Sequence, residues 1–164
     1  YFNPKVESAT RQIEIARKVI EDCKRVDFPL FLEIVTYTPG VSTKGLPGLH
    51  TGSDNLLVIG SVKKFIDNGG VPEVWKLEYP GSLEASQEIS NLIGDTPWIL
   101  LTGGTDFETF KGNLEDSIKG GASGFLAGRA LWQEVCKLGG KEKIKFLNEI
   151  LPERFKEISE IATK

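Results

Sequence analysis

The feature that most constrains this chain is a strict alternation of helical and extended periodicity, repeated from its first residues to its last third. Val6, Ala9, Ile13, Ala16, Ile20 and Cys23 recur at spacings of three and four. That spacing predicts an amphipathic helix over residues 4–26, with Asn3 as N-cap and Pro4 at the first helical position. Asp27-Phe28-Pro29 ends it. Leu30 to Tyr37 (LFLEIVTY) follows, rich in β-branched and aromatic residues and apolar on both faces except for Glu33. Such a run fits a strand buried in a parallel sheet.

The same pairing then returns. A helix is expected from Ser53 or Asp54 to Gly69-Gly70, and a strand over Val74–Tyr79 (VWKLEY). A third helix follows Ser82, and Trp98–Thr102 (WILLT) forms the next strand. Thr105-Asp106-Phe107-Glu108 has the spacing of a capping box and opens a further helix. Gly124–Ala127 (GFLA) is the fourth strand, and Arg129 starts the return to helix. Glu142–Ile161 closes the chain as a helical segment kinked or divided at Pro152. Helices between successive strands require a parallel sheet with right-handed crossovers, an α/β fold. An open doubly wound sheet and part of a (β/α)8 TIM-type barrel both satisfy the pattern. A complete barrel takes roughly 250 residues, so four strands amount to half of one.

Charge and composition exclude several functions. A net charge of −3 provides no basic field for nucleic acid or an anionic membrane. No apolar run approaches the ~20 residues of a membrane-spanning helix. Tyr1-Phe2-Asn3-Pro4 has neither the charged start nor the apolar stretch of a signal peptide. The absence of methionine and the start at Tyr1 fit a processed chain, an excised piece or the ordered part of something longer, the last two being the expectation. Cys23 and Cys136 stand singly and are expected to be small buried hydrophobes in a reducing compartment. A cytoplasmic protein is the expectation. His50, the only histidine, lies in a Gly/Pro-rich loop over Thr38–Thr51, so neither a Ser/His/Asp triad nor a multi-histidine metal site has support.

The strands carry the chemistry. Lys76 and Glu78 lie two apart and so share a face. On the inner face of a buried strand, two charges are costly unless paired or functional. A desolvated lysine amine becomes nucleophilic near neutral pH and forms Schiff bases with carbonyls. On an edge strand the same two residues would be a solvated pair. Glu33 is either a general acid/base or a structural partner for a lysine. Thr102-Gly103-Gly104 and Gly128-Arg129 end two strands, where exposed amides, the helix that follows and a guanidinium suit a phosphate. Either glycine pair could equally be a plain tight turn. Trp75 and Trp132 are expected in the core, and the charge-rich C-terminal end as a solvated helix face.

Four segments resemble the tagatose-1,6-bisphosphate aldolase family of class I aldolases, which includes sulfofructosephosphate aldolases. They are FPLFLEIVTY (28–37), VWKLEYP (74–80), PWILLTGGTDFETF (97–110) and GASGFLAGRALW (121–132). They fall in the family's order and cover nearly all of the chain, the last two being the most distinctive. The resemblance implies that residues 1–164 form the C-terminal half of a TIM barrel, about strands 5–8, with Tyr1-Phe2 the tail of strand four. It implies that Lys76 is the Schiff-base lysine and Glu33 the acid/base carboxylate. Thr102, Gly103, Gly104, Gly128 and Arg129 fall on the segments that hold a substrate phosphate. Glu78, on the same face as Lys76, is expected from its position to set the lysine's charge state. The implied reaction is cleavage of a phosphorylated ketose to dihydroxyacetone phosphate and an aldehyde, with no cofactor. The family's strand-one aspartate and strand-four lysine have no counterpart here. The alternative is therefore a non-catalytic half-barrel that binds sugar phosphate or serves in assembly. Either way the open flank of strand five calls for the missing N-terminal half or another copy. The Thr38–Thr51 loop matches the family less well and bears on substrate choice.

Overall fold

The computed structural model describes residues 1–38 and 55–163. Most of the Thr38–Thr51 loop, His50 and the expected start of a helix at Ser53 or Asp54 lie outside the described residues. Four strands pair in chain order, every pair parallel: β1 (Phe31–Ile34), β2 (Val74–Leu77), β3 (Trp98–Leu101) and β4 (Gly124–Leu126). Helix α1 (Ala9–Arg25) precedes β1, while α2 (Asn55–Asp67), α3 (Leu83–Ile93) and α4 (Phe107–Lys119) stand between successive strands. After β4 come α5 (Arg129–Trp132), a 3-10 turn (Gln133–Lys137) and α6 (Gly140–Lys145). A π turn (Phe146–Ile150) leads into α7 (Leu151–Ala162).

The alternation is as expected, but several element ends move. Helix α1 starts at Ala9, with Ser8 at its N-cap, and the Asn3 side chain opens only a turn ahead of it. Its Oδ1 accepts from the Lys5 amide at 2.8 Å, and its Nδ2 donates to the Tyr37 carbonyl at 2.6 Å. Strand β1 stops at Ile34 because the Thr36 amide donates to a Glu78 carboxylate oxygen at 2.7 Å. Thr36 instead makes an isolated parallel bridge with Phe2, whose amide donates to the Val35 carbonyl at 2.8 Å. Ser82 caps α3 as expected, accepting from the Ala85 amide at 3.1 Å. Asp106, not Thr105, caps α4, accepting from the Thr109 amide at 3.0 Å. The Thr105 hydroxyl turns back to the Thr102 carbonyl at 2.9 Å. The last helical segment is divided as Pro152 demands: the ring has no N–H to donate, and a π turn precedes it.

Alternation along the strands sorts the residues between two faces. Trp75, Leu77, Trp98 and Leu100 are buried under the helices. The Phe65 and Trp75 rings meet edge-on with centroids 6.1 Å apart. A second cluster around Leu100, Phe110, Leu114 and Ile158 extends the core toward α4 and α7. Cys23 is only half-buried and Cys136 is exposed, because the 3-10 turn presents Cys136 outward; both expected burials fail. On the other face, Glu33, Lys76, Ile99 and Gly124 stand in register at one height across the four strands. Among the described residues that face is open: Phe31 is 51% and Leu126 49% exposed. Parallel sheets ordinarily bury both faces.

Candidate active site

The open face ends, at the C-terminal tips of the strands, in a cleft of about 470 Å³. Glu33, Lys76, Glu78, Thr102, Gly103, Gly104, Gly128 and Arg129 all line it. Residues spread over nearly 100 positions of sequence thus converge because each lies at or just beyond the tip of a parallel strand.

Lys76 is not on an edge. Strand β2 is hydrogen-bonded to β1 on one side and β3 on the other, so the reading of a solvated edge pair is set aside. Register places Glu33 directly opposite Lys76, and Lys76 Nζ donates to Glu33 Oε2 at 2.8 Å. The Lys76 side chain is 21% exposed and that of Glu33 46%. A pair this close to solvent adds at most about 1 kcal/mol of stability. Its significance is chemical: an amine and a carboxylate within proton-transfer distance at the wall of a cleft. Glu78 Oε2 accepts from both the amide and the hydroxyl of Thr36, each at 2.7 Å. This carboxylate, one residue past β2, thereby ties the end of β1 to the end of β2.

The strand β2 segment is braced from behind as well. Tyr79 Oη donates to Asp116 Oδ2 on α4 at 2.7 Å. Burial, then that bond to a carboxylate, pushes the phenol well above its ordinary range.

The two glycine segments form the opposite wall. Gly103 (φ 60°) and Gly104 (φ 79°) occupy left-handed backbone, which an L side chain would strain, so the chain turns sharply at the β3 tip. A Cβ at Gly128 would meet nothing within 4 Å, leaving that backbone open to the cleft. Arg129 is exposed, and no carboxylate pairs with it among the described residues. The N-terminus of α4, by contrast, is no anion seat, because the Asp106 carboxylate already occupies it. An anion here would rest on the glycine loops and the Arg129 guanidinium.

Sequence reasoning missed one prominent wall residue. Trp132, expected in the core, is 39% exposed and lines the cleft. Its position three residues after Arg129, on the same helical face, was the available signal. Trp75 is in the core as expected. Among the described residues, no cluster of three or more His, Cys, Asp or Glu is placed to hold a metal ion. No helix of the described residues is long and apolar enough to cross a membrane.

Comparison with known proteins bears on this arrangement. A model of the DeoC/LacD family aldolases matches residues 1–134. Proteins named tagatose 1,6-diphosphate aldolase from Listeria monocytogenes serotype 4a (strain HCC23) and Listeria innocua serovar 6a are 27% identical over 180 residues. The match takes in 96% of this chain and 53% of each relative, so the chain spans about half their length. Among solved structures, an archaeal fructose 1,6-bisphosphate aldolase superimposes with a TM-score of 0.61 at 18% identity, over 91% of this chain and 54% of that one. A structure described as a Schiff base forming fructose-1,6-bisphosphate aldolase gives 0.63 at 18% identity, over 93% and 55%. A fructose-bisphosphate aldolase from Slackia heliotrinireducens gives 0.61 at 16%, over 95% and 50%. At these identities the likeness is one of fold: an α/β unit with a parallel sheet, equal to about half of each neighbour.

Proposed function

Because the chain belongs to the DeoC/LacD family of aldolases, we propose that it is the C-terminal half of a (β/α)8 class I aldolase, strands five to eight, and carries the Schiff-base lysine. The observation that carries this reading is the convergence, in one cleft, of the Lys76–Glu33 pair and of Arg129, which has no carboxylate partner among the described residues, beside glycine-rich turns. The Phe2–Thr36 bridge supports the strand numbering, since the chain ahead of α1 runs parallel to β1 as a fourth strand would. The open inner face and the largely unpaired flank of β1 would be covered by the N-terminal half of the barrel or by a second copy.

In this mechanism Lys76 Nζ attacks the ketone carbon of a phosphorylated ketose such as tagatose 1,6-bisphosphate. Water leaves and an iminium forms. A base removes the proton of the C4 hydroxyl, and the C3–C4 bond breaks. The aldehyde departs, and the bonding electrons move onto the iminium nitrogen as an enamine. Protonation at C3 and addition of water release dihydroxyacetone phosphate and restore the amine. Glu33, at 2.8 Å from Lys76 Nζ, is placed to carry the protons of Schiff-base formation and hydrolysis. Arg129 and the amides around Gly103, Gly104 and Gly128, with Thr102 at the β3 tip, hold the phosphate, and that remote binding orients the ketone. Glu78 fixes the strand tip through Thr36.

Borohydride trapping tests the reading. The intact protein that includes this chain, incubated with dihydroxyacetone phosphate and reduced, is expected to gain one covalent adduct that peptide mapping assigns to Lys76. Bound ligand with no adduct would instead identify a non-catalytic sugar-phosphate module.

A further inference from the structure

The glycine turn and Arg129 belong to different loops, which leave the paired strands β3 and β4, and past the strand tips the ladder no longer sets their spacing. One residue reaches both. Arg154, on α7, is 18% exposed and never meets the cleft. Its Nη1 donates to the Leu131 carbonyl at 2.9 Å and to Glu134 Oε2 at 3.1 Å, and its Nη2 donates to Glu134 Oε1 at 2.8 Å. Those contacts grip the segment that carries Arg129 and Trp132. The same guanidinium lies over the Phe107 ring, 4.6 Å from its centroid, and Phe107 is the first residue of α4, just beyond the Gly103-Gly104 turn. The Phe146 ring, at 5.2 Å, closes the group. Gln133 Nε2 donates to the Thr105 carbonyl at 3.3 Å, a direct tie between the two loops. The hydrogen bond from Arg154 keeps the Glu134 carboxyl below its ordinary range, so the pair stays ionised through neutral pH.

We propose that Arg154 is a positioning residue, which sets the gap between the Gly103-Gly104 turn and Arg129 by clamping both loops from behind the cleft. The proposal rests on the reading of that cleft as a sugar-phosphate site. It gives the C-terminal helix, which lies beyond the residues matched by the family model, a part in substrate affinity. A bidentate guanidinium stacked on a ring is a geometry lysine cannot reproduce. Displacing a substrate-positioning group by about 1 Å can cost on the order of 100-fold.

The test uses the intact protein and dihydroxyacetone phosphate as probe, with ketose bisphosphate turnover measured in parallel. Arg154→Leu is expected to raise Kd and KM about tenfold, with a much smaller change in kcat, and Arg154→Lys to recover little of the loss. In an Arg129→Ala background the effect of Arg154→Leu should nearly vanish, because the clamp acts through Arg129. Should Arg154→Leu fail to fold, Glu134→Gln removes one side of the clamp and should shift affinity the same way by less. A folded Arg154→Leu with unchanged affinity, or an effect undiminished without Arg129, overturns the proposal alone. An Arg129→Ala protein that binds the probe normally overturns the phosphate-site reading, and the proposal with it.

Discussion

Turnover of a ketose bisphosphate by the intact protein is expected to fall by roughly 10⁴-fold or more when Lys76 becomes alanine, and the borohydride-trapped adduct to disappear. Lys76→Arg should be nearly as inactive. It keeps a cation opposite Glu33, yet a guanidinium cannot condense with a ketone under these conditions. The pair of variants therefore separates the covalent role of the amine from the electrostatic role of the charge. Neither should cost much stability, because the ion pair that Lys76→Ala removes, and that Lys76→Arg keeps in altered form, is partly exposed. Binding of dihydroxyacetone phosphate should persist in both, held by the Arg129 wall. Near-normal turnover by Lys76→Ala would sink the proposed mechanism.

The largest stability effect is expected on the opposite face of the sheet. Trp98 is buried, and its indole N–H donates to Ser90 Oγ at 2.9 Å, while that hydroxyl donates to the Gly120 carbonyl at 2.6 Å. Trp98→Ala should cost about 3–5 kcal/mol, the range for emptying a large buried aromatic site. Against a typical stability of about 5–15 kcal/mol that is a large fraction. Its register partner, Trp75, is equally buried, but its indole N–H has no acceptor among the described residues. Trp98→Phe should therefore be the costlier of the two phenylalanine variants, by about 1 kcal/mol, since only it breaks a hydrogen bond. Urea unfolding of the four proteins checks both statements. Equal costs for the two phenylalanine variants would mean that the Ser90 link contributes nothing.

Most of the scaffold was legible because the strands are short, apolar and separated by well-punctuated helices, so period and breakers agree. The residues at strand tips were legible as a group chiefly through the family resemblance, since pattern alone left a solvated pair and plain turns open, and the fold brings them to one cleft. What escaped was decided by tertiary partners. Asn3 accepts from the Lys5 amide as a cap would and donates to Tyr37 across the sheet edge, yet the chain turns again and the helix begins only at Ala9. Thr36 belongs by propensity to β1, but Glu78 captures its amide. Trp132 has the composition of a core residue, yet α5 has only four residues and turns it into the cleft. The Arg154 clamp could not be read at all from a C-terminal stretch whose charges otherwise pattern as a solvated helix face. Only the packing of α7 against Phe107 and Leu131 distinguishes that arginine from its neighbours.

The register that sets Glu33 against Lys76 also decides how the protein should respond to heat. The backbones that carry them are held at the spacing of hydrogen-bonded strands, about 4.8 Å, and part only when the sheet itself comes apart. The wall proposed to bind the anion has no such guarantee. It depends on a four-residue helix, a 3-10 turn and side-chain ties, structures that open at a lower free energy than central strands. As temperature rises, affinity should therefore fail before chemistry: KM climbs over a range in which kcat still increases, and only later do both collapse with the fold.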